Sequence, residues 1–405
     1  MAGMSGVTDH ERGIDLVSTV LFMRLTSKLV VLAVIGAAAT ASLPASAVAS
    51  GAVGVPWVVA ASPTSMTLDW PAAGEAGRYR VVHGRTPSEV RRATQAQRTR
   101  PATSRLAVTG LRPGTEYCFQ VARANRSGRS GVYCHSTPSV VPAAGATPVT
   151  VVTFNICGHV CEGWAGRRPA VVRRILDSGA DVVALQETTR RGRDTKLLGA
   201  LRRQGYRLAH DTQNEMVLYR MATVSPAGRV ASIQLPWGTV VPGPATTAGW
   251  TTFELLGTGK RFTVVSTHFT AGRSLAADRQ RKREAARLLA LMPGTRAEGP
   301  VLYSGDFNSS RARRGDGVGR VFRRAGYVDA YQQSVSHTKA WVSSSNGFAA
   351  RPRRELRYGD HIDRILVPAS LGVSGWEVVA PLRRGKNVRP LASDHHPVRA
   401  TIWLP

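Results

Sequence analysis

Six apolar runs after residue 150 each carry, at one end, a polar residue that can bind a metal ion or exchange a proton. The runs and their polar residues are VVTF with Asn155, VVAL with Gln186 and Glu187, VVST with His268, VLYSG with Asp306 and Asn308, RILV with His361 and Asp363, and PVRATIW with Asp394 and His395. Turn formation accounts for one or two polar residues at strand ends, but poorly for six. The pattern therefore predicts a fold in which these strand ends meet at one site.

The spacing within VLYSGDFNSS indicates how one of these strands presents its side chains. Side chains alternate along a strand, so Asp306 and Asn308 share a face while Phe307 points into the core. We expect Gly305 to let the backbone turn there without strain. The strand thus delivers a carboxylate and an amide to the same place.

From Val149 onward, apolar strands alternate with helices. VTVVTFNIC and ADVVALQE are β-branched apolar runs, and EMVLYR, WTTFELL, RFTVVSTHF and PVRATIWLP are further predicted strands. The intervening segment RRPAVVRRILDSG places Val171, Val172, Ile175 and Leu176 on one side of a helix, and LAADRQRKREAARLLALM is amphipathic. Fully apolar strands mixed with helices indicate β-sheets that helices cover.

Residues 54–139 read instead as a small all-β domain. SMTLDW, GRYRVVHG, SRLAVTG and EYCFQVARA are short strands separated by turns, and Trp70 is a candidate core anchor. Tyr117 follows a Pro-Gly turn just before a strand, which is the position of a tyrosine corner. The segment resembles a fibronectin type III domain, and we expect a spacer or adhesive module. The Pro/Ala-rich residues 140–148 are interpreted as a linker to a domain spanning 149–405.

The chain has four cysteines, at positions 118, 134, 157 and 161. An even number of cysteines in an exported protein favours two disulfides. The fibronectin resemblance places Cys118 and Cys134 on the last two, paired strands, while Cys157 and Cys161 lie in one loop. A zinc site built from both pairs is disfavoured because the pairs fall in different domains.

Residues 1–49 resemble an export signal. Arg24 and Lys28 precede the apolar run LVVLAVIGAAA, and small residues suited to signal peptidase follow in LPASAVAS. Met23 lies directly before the basic residues and is a second candidate start. The run is short for a bilayer span, and no other segment of the sequence is long and apolar enough. We therefore expect a secreted, extracellular protein without a membrane helix, and a monomer.

The charge of the chain favours an anionic substrate. The sequence contains 54 Lys and Arg against 26 Asp and Glu, a formal net charge of +28. Such a field attracts polyanions, including nucleic acid, anionic lipid headgroups and phosphorylated small molecules. Arginine, alanine and glycine are also frequent in proteins encoded by GC-rich genes, so the charge supports this substrate class without establishing it.

The motifs TFNIC, LQET, STHF, GDFNS, HIDRI and SDHHPV, in this order, resemble the endonuclease/exonuclease/phosphatase superfamily, which includes pancreatic deoxyribonuclease. The resemblance covers roughly residues 149–405. It implies an α/β (α+β) four-layer sandwich, in which two packed β-sheets are flanked by helices and the site lies at one edge. It also implies hydrolysis of phosphate esters with Mg²⁺, or with Mn²⁺ or Ca²⁺.

Chemistry and resemblance together assign roles to the strand-end residues. Glu187 is the best metal ligand because Mg²⁺ prefers carboxylate oxygen, and Asn155 and Asp394 are predicted to assist it. His395 resembles the general base that activates water, with Asp363 holding its imidazole. Ser393, Asp394 and His395 are adjacent in sequence and cannot adopt the geometry of a serine-hydrolase triad.

The remaining predicted roles concern the substrate. Asp306 and Asn308 are expected to position the water and hold a phosphate oxygen. His268 resembles the second histidine of the deoxyribonuclease and sphingomyelinase branches, which stabilises phosphate charge or protonates the leaving group. Arg279 lies where the family often carries an arginine on a helix, and either substrate binding or a solvated helix face accounts for it. His396 is expected to face away from the site.

Several substrates stay open. The basic loops SSRARRGDG, RPRRELRYGDH and LRRGKNVRP favour DNA or RNA, with Tyr358 and Trp341 as candidates for base stacking. A sphingomyelinase-like enzyme should carry an exposed apolar hairpin, and the sequence shows no convincing one. An inositol-phosphate phosphatase needs a narrower pocket. A non-catalytic adhesion protein is disfavoured, because the acids and histidines of the site are all present.

Overall fold

The structure is a computed structural model that describes most of the chain after residue 52. The described residues are 53–71, 78–93, 97–98, 103–125, 128–188, 194–212, 214–235, 246–292, 298–313, 315–354 and 361–405. The predicted export signal, residues 1–49, lies outside them. Among the helices of the described part, none is long and apolar enough to cross a membrane.

Residues 53–139 form a β-sandwich. Its elements are β1 (Trp57–Ser62), β2 (Ser65–Asp69), β3 (Tyr79–Gly84), α1 (Pro87–Arg92), β4 (Gln97–Arg98), β5 (Arg105–Thr109), β6 (Glu116–Arg123) and β7 (Tyr133–Ser136). The strands are ordered β1-β2-β5 in one sheet and β4-β3-β6-β7 in the other. Trp70 is buried between them, as predicted. Tyr117 accepts a hydrogen bond from the Arg112 backbone N–H at 3.0 Å, which confirms the tyrosine corner.

Both predicted disulfides are formed. Cys118 and Cys134 lie directly opposite each other on β6 and β7, and Cys157 and Cys161 close the loop that follows β8. Because all four thiols are consumed, a zinc site built from them is excluded.

The strands of the second region are β8 (Thr147–Asn155), β9 (Val182–Gln186), β10 (Tyr206–Asp211), β11 (Glu215–Arg220), β12 (Val224–Gln234), β13 (Thr247–Leu255), β14 (Lys260–His268), β15 (Val301–Asp306), β16 (Tyr327–Asp329), β17 (His337–Thr338), β18 (Asp363–Pro368), β19 (Gly372–Val378), β20 (Leu382–Arg383), β21 (Lys386–Asn387) and β22 (Val398–Leu404). Its helices are α2 (Trp164–Ser178), α3 (Thr195–Arg203), α4 (Leu275–Leu291), α5 (Gly317–Arg324) and α6 (Ala330–Gln333).

These elements form four layers. One sheet has the order β10-β11-β9-β8-β22-β19-β17, and the other has the order β12-β13-β14-β15-β18-β16. An apolar core lies between the sheets, a second core joins the first sheet to α2 and α3, and a third joins the other sheet to α4 and α5. The predicted fold class, two packed sheets flanked by helices after an all-β sandwich, is therefore confirmed.

Alternation along β8 shows why the strand is apolar on both faces. Val149 and Val151 enter the core between the sheets, while Val152 and Phe154 pack toward α2 and α3. A strand buried on both faces carries a continuous apolar run instead of an alternating one. On α2, Ile175 of the predicted apolar side is fully buried.

Three buried histidines meet where the β-sandwich contacts the second region. The ring of His135 lies 4.8 Å from that of Tyr331 and 4.9 Å from that of His337. The ring of His361 lies 4.8 Å from that of Tyr331 on its other side. Burial lowers the pKa of His135 to about 4 from its ordinary value of 6.5, and burial lowers the pKa of His337 well below that ordinary value. Both imidazoles are therefore neutral in the folded protein at neutral pH.

We expect acid to destabilise the protein through this cluster. The folded-state pKa of His135 lies below the unfolded one, so the stability it contributes is complete above the unfolded pKa and is lost as the pH falls toward 4. The loss from His135 alone should be about 3 kcal/mol between pH 7 and pH 4. Urea unfolding at a series of pH values measures it. His135→Gln should flatten this part of the profile, and an unchanged profile would contradict the assignment.

Candidate active site

The register of the sheets brings the predicted strand ends together. β8 pairs in parallel with β9, which sets Asn155 beside Gln186, the residue that directly precedes Glu187. In the other sheet β14 pairs in parallel with β15, so that His268 lies beside Asp306. β18 runs antiparallel to β15 and pairs Asp363 with Asp306. The ends of five strands, together with the residues that precede β22, therefore meet at one edge of the two packed sheets.

Asn155 joins the acids of the two sheets. Its side-chain amide donates hydrogen bonds to Glu187 Oε1 at 2.9 Å and to Asp306 Oδ2 at 3.2 Å. Its carbonyl Oδ1 accepts from the Cys157 backbone N–H at 3.0 Å, which fixes the orientation of the amide. Glu187 has a left-handed backbone, with φ of 53°, so its side chain leaves the direction of the strand. Two carboxylates thus lie close together around one amide group.

His268 lies close to the carboxylates of both Glu187 and Asp306. Its Nδ1 is 3.8 Å from Glu187 Oε1, and its Nε2 is 3.6 Å from Asp306 Oδ2. The Asn308 side-chain amide lies 3.1 Å from His268 Nε2 and donates to the Phe269 carbonyl at 3.0 Å. About a fifth of the His268 side chain is exposed, so this imidazole is accessible from solvent. Asp306 and Asn308 both approach His268 Nε2, and Phe307 between them is buried. Because β15 ends at Asp306 and Asn308 has a φ of 47°, they meet there through the left-handed backbone and not by alternation along a strand.

His395 and Asp363 form the most closely coupled pair of the site. The imidazole Nδ1 of His395 lies 2.8 Å from Asp363 Oδ2, and its Nε2 lies 3.8 Å from Asp306 Oδ2. Burial opposes a charge on the imidazole, but the carboxylates of Asp363, Asp306 and Asp394 outweigh it and raise the pKa of His395 to about 10. Asp363 thereby holds His395 with one ring nitrogen directed at Asp306.

Two predicted site residues lie further from this cluster. The half-buried carboxylate of Asp394 accepts from Ser393 Oγ at 3.1 Å and lies beside the sulfurs of the Cys157–Cys161 disulfide. Arg279 lies on the exposed side of α4, and no hydrogen bond or ion pair joins it to the described site residues. The neighbouring Arg281 is buried instead, and it donates to the Thr270 and Gly272 carbonyls at 2.9 and 2.8 Å. Their assigned roles stay predictions.

The disulfide loop supports the metal-ligand candidates from behind. The backbone N–H of Gly158 donates to the Glu187 carbonyl at 2.8 Å, and a Cβ on Gly158 would lie 2.7 Å from that oxygen. The buried guanidinium of Arg167 donates to several loop carbonyls, including those of Cys157 and Cys161. Because the loop is closed covalently and bonded on both sides, it fixes the backbone around Glu187.

The role expected of Gly305 is wrong. Gly305 lies inside β15 and is not among the glycines with positive φ. A Cβ at this position would lie 2.0 Å from the Thr267 carbonyl oxygen of the neighbouring strand. Glycine is required because β14 and β15 approach each other closely beside the site, and not because the chain turns there.

Two further residues of the site were not identified from the sequence. Glu215 is completely buried at the start of β11, accepts hydrogen bonds from Thr212 and Asn214, and interacts electrostatically with His268. It precedes the apolar run MVLYR, so the strand-end pattern could have found it. Ser344 Oγ accepts from the Asp363 backbone N–H at 3.2 Å. It lies in a loop with no apolar run, and the sequence offers no signal for it.

The donor set fits a divalent cation. Glu187 and Asp306 supply carboxylate oxygens, and Mg²⁺ binds such hard oxygen ligands, with one or two carboxylates usually sufficient. Asn155 turns its NH₂ group toward both acids, while its oxygen accepts from the Cys157 N–H. The carboxylates of Asp363, Asp306 and Asp394 raise the pKa of the His395 imidazole and favour its cationic form. The buried negative charge in excess of this one cation favours a positively charged ligand.

Comparisons with known proteins agree with this geometry. The sequence model of the endonuclease/exonuclease/phosphatase family matches residues 152–395, and that of the fibronectin type III domain matches residues 55–134. Among solved structures, a family protein of Bacteroides thetaiotaomicron is 18% identical with a TM-score of 0.51, over 64% of this chain and 99% of that one. A family protein of Bacteroides vulgatus is 23% identical with a TM-score of 0.51, over 64% and 100%.

A mannosyl-6-phosphatase of Bacteroides thetaiotaomicron is also similar, with 19% identity and a TM-score of 0.50 over 63% of this chain and 99% of that one. At these identities the likeness shows the shared fold. A search of curated protein sequences found no significant match.

Proposed function

Since this chain belongs to the endonuclease/exonuclease/phosphatase family, we propose that it is a secreted, metal-dependent phosphodiesterase that cleaves DNA or RNA. The observation that carries the proposal is the His395–Asp363 pair, which directs the free ring nitrogen of His395 at Asp306. An imidazole hydrogen-bonded to a carboxylate, with further carboxylates at the same edge of the sheets, suits the attack of water on phosphorus.

His395 is the candidate general base. Asp363 orients the ring through Nδ1, which leaves Nε2 to accept a proton from water as the oxygen attacks phosphorus in line with the leaving oxygen. Asp306, next to that nitrogen, is placed to accept the second hydrogen of the same water and so to orient it. This carboxylate lies between His395 and His268, which supports a role in positioning.

Glu187 is the residue proposed to hold the cation, and Asn155 and Asp394 are proposed to assist it. Asn155 orients the Glu187 carboxylate through its N–H and would offer its own oxygen to the ion only if its amide turned over. When bound, a divalent cation stabilises negative charge on the phosphate and offsets the carboxylates that raise the pKa of His395. The ion is proposed to be Mg²⁺, with Mn²⁺ and Ca²⁺ as alternatives that the same oxygen ligands accept.

His268 and Asn308 are placed to bind the phosphate. The Asn308 amide is a hydrogen-bond donor beside His268 Nε2, so a phosphate oxygen could receive donors from both. Such donors stabilise the charge that develops in the transition state. Glu215 is buried behind His268 and interacts with it electrostatically, so it belongs to the same group of side chains. Arg279 is proposed to contact the substrate further from phosphorus.

Exposed cations beside the site support a nucleic-acid substrate. Asn387 donates through its backbone N–H and side chain to Ala350 and Ala349 at 2.9 Å, which joins the β20–β21 hairpin to the loop before it. That loop is held to Asp394 by the backbone N–H groups of 346 and 347, at 2.7 and 2.8 Å from its carbonyl. The exposed cations on these two segments are Arg351, Arg353, Arg354, Arg383, Arg384, Lys386 and Arg389. A polyanion that enters the site would meet them.

The stacking candidates are less informative. The ring of Trp341 lies 6.1 Å from that of Trp57 and is half-buried, so it packs between the two domains. Tyr358 lies outside the described residues. Secretion is supported by the two disulfides, which persist in oxidising compartments.

A substrate panel tests the proposal. The purified chain should be incubated with Mg²⁺ and plasmid DNA, RNA, sphingomyelin vesicles or inositol phosphates, and product formation measured for each. We expect the nucleic acids to be cleaved fastest, with rates that fall as salt rises because the cations bind the phosphate backbone. Faster hydrolysis of sphingomyelin or of an inositol phosphate would reject the nuclease assignment and name the alternative.

A further inference from the structure

The N-terminal β-sandwich contacts the catalytic domain through hydrogen bonds that include its backbone. The Ala61 N–H donates to the Val335 carbonyl at 2.9 Å, and the Ser136 N–H donates to Gln332 Oε1 at 2.8 Å. The backbone N–H and the hydroxyl of Ser139 both reach Gln333 Oε1 at 3.1 Å. These contacts arise from two separate parts of the sandwich, β1 and the end of β7, so they fix its orientation as well as its position.

Buried aromatic side chains fill the centre of the same contact. The hydroxyls of Tyr133 and Tyr331 are hydrogen-bonded to each other, and His135 Nε2 lies 3.1 Å from the Tyr331 carbonyl. Tyr331 is only 2% exposed, so the sandwich completes the burial of a catalytic-domain residue. Removing the sandwich would expose this surface, which is not expected of a spacer that swings freely.

An ion pair extends the contact to a loop of the active site. Glu116, the first residue of β6, pairs with Arg311, whose side chain is 13% exposed. Arg311 follows Asn308 by three residues. Arg313, two residues after Arg311, donates from Nη1 to the Asn308 carbonyl at 3.0 Å. The sandwich is thereby joined to the loop that carries the phosphate-binding candidate.

The loop needs such support because of its backbone. Asn308 has a φ of 47°, in the left-handed region, which asparagine tolerates better than other residues with a side chain but which still depends on the surroundings that hold it. A second connection runs beneath the site, where Arg364 donates to Asp329 Oδ2 and Asp316 Oδ1, both at 2.7 Å. Arg364 directly follows Asp363, and Asp329 caps α6, the helix that the sandwich contacts.

We infer that the β-sandwich is a fixed part of the catalytic unit, and that Glu116 is a positioning residue that holds the Asn308 loop through Arg311. The kinetic part of this inference rests on the proposed phosphodiesterase function. In place of the spacer or adhesive module expected from the sequence, the β-sandwich has a structural role that extends to the active site.

A double-mutant cycle in the full chain tests the inference. The variants are Glu116→Gln, Arg311→Gln and the two combined. The matched control is Glu254→Gln, which removes an ion pair on β13 whose glutamate is as exposed as Glu116 (35% against 37%). The readouts are kcat and KM for bis(p-nitrophenyl) phosphate with Mg²⁺, and amide hydrogen exchange in residues 309–313.

We expect Glu116→Gln to lower kcat by about tenfold while KM changes by less than about twofold, because a misplaced loop lowers the rate more than binding. Exchange in residues 309–313 should accelerate, and the variant should have little further effect once Arg311 is replaced. Glu254→Gln should match the parent. If Glu116→Gln behaves like Glu254→Gln in both readouts, the inference is rejected.

Two other outcomes remain decisive. A parent chain that hydrolyses no phosphodiester rejects the proposed function, while hydrogen exchange still decides whether Glu116 holds the loop. If Arg311→Gln fails to fold, the comparison of Glu116→Gln with Glu254→Gln decides the inference by itself.

Discussion

Replacing His395 with alanine should lower kcat for phosphodiester hydrolysis by roughly 10²- to 10⁴-fold, the range that a positioned general base contributes. His395 is the imidazole that Asp363 orients at 2.8 Å, and its other nitrogen faces the carboxylate of Asp306. Alanine removes the proton acceptor but leaves the carboxylates that bind the cation. KM should therefore change much less than kcat, as measured by steady-state kinetics at saturating Mg²⁺.

The adjacent histidine is the matched control for this prediction. His396 is buried, and burial lowers its pKa to about 4, so it is neutral at the pH of the assay. Among the described residues, no hydrogen bond or ion pair joins its side chain to His395, Asp363 or Asp306, and His395 acts on it only through its charge. His396→Gln should keep kcat close to that of the parent. Equal losses in the two variants would indicate a general folding defect, and full activity in His395→Ala would refute the assigned base.

Replacing Glu187 with glutamine should lower kcat/KM by roughly 100-fold at limiting Mg²⁺, because the site loses the carboxylate best suited to that ion. Glutamine keeps the size of the side chain and an oxygen that can still bind weakly. Raising the Mg²⁺ concentration should therefore recover part of the activity. A titration of the rate against Mg²⁺ measures the shift in the concentration required.

Glu162 provides the control for Glu187. It is an exposed glutamate directly after the disulfide loop that packs against the Glu187 backbone, and its backbone carbonyl accepts from Arg167. Glu162→Gln should leave the Mg²⁺ dependence unchanged. If Glu187→Gln requires no more Mg²⁺ than the parent, Glu187 is not the principal ligand, and Asp306 becomes the leading candidate.

Much of the fold could be predicted because its strands are buried on both faces. Such strands carry uninterrupted β-branched runs, so VVTF and VVAL predict a strand, and the polar residue that follows each run predicts where the strand ends. The period-two alternation of side chains predicts that Asp306 and Asn308 share a face. Both side chains do reach His268, but Asn308 does so from a left-handed backbone beyond the end of β15. The tyrosine corner at Tyr117 is predictable for a similar reason, since it depends on a local Pro-Gly turn.

Features that depend on contacts between distant segments could not be predicted. The need for Gly305 comes from the Thr267 carbonyl of a neighbouring strand, which no pattern around residue 305 encodes. The ion pair between Glu116 and Arg311 joins two domains, and each residue alone is typical of a solvated surface. Helical periodicity likewise does not distinguish the exposed Arg279 from the buried Arg281, because their burial depends on the loop packed against α4.

The central claim is that a divalent cation and an imidazole act together on a phosphate ester at the edge of the two sheets. Hydrolysis of bis(p-nitrophenyl) phosphate by the purified full chain, followed after EDTA treatment and again after Mg²⁺ is restored, tests it most directly. The account predicts that EDTA abolishes hydrolysis and that Mg²⁺ restores it. Hydrolysis that EDTA leaves unchanged, or no hydrolysis with Mg²⁺, Mn²⁺ or Ca²⁺, would contradict it.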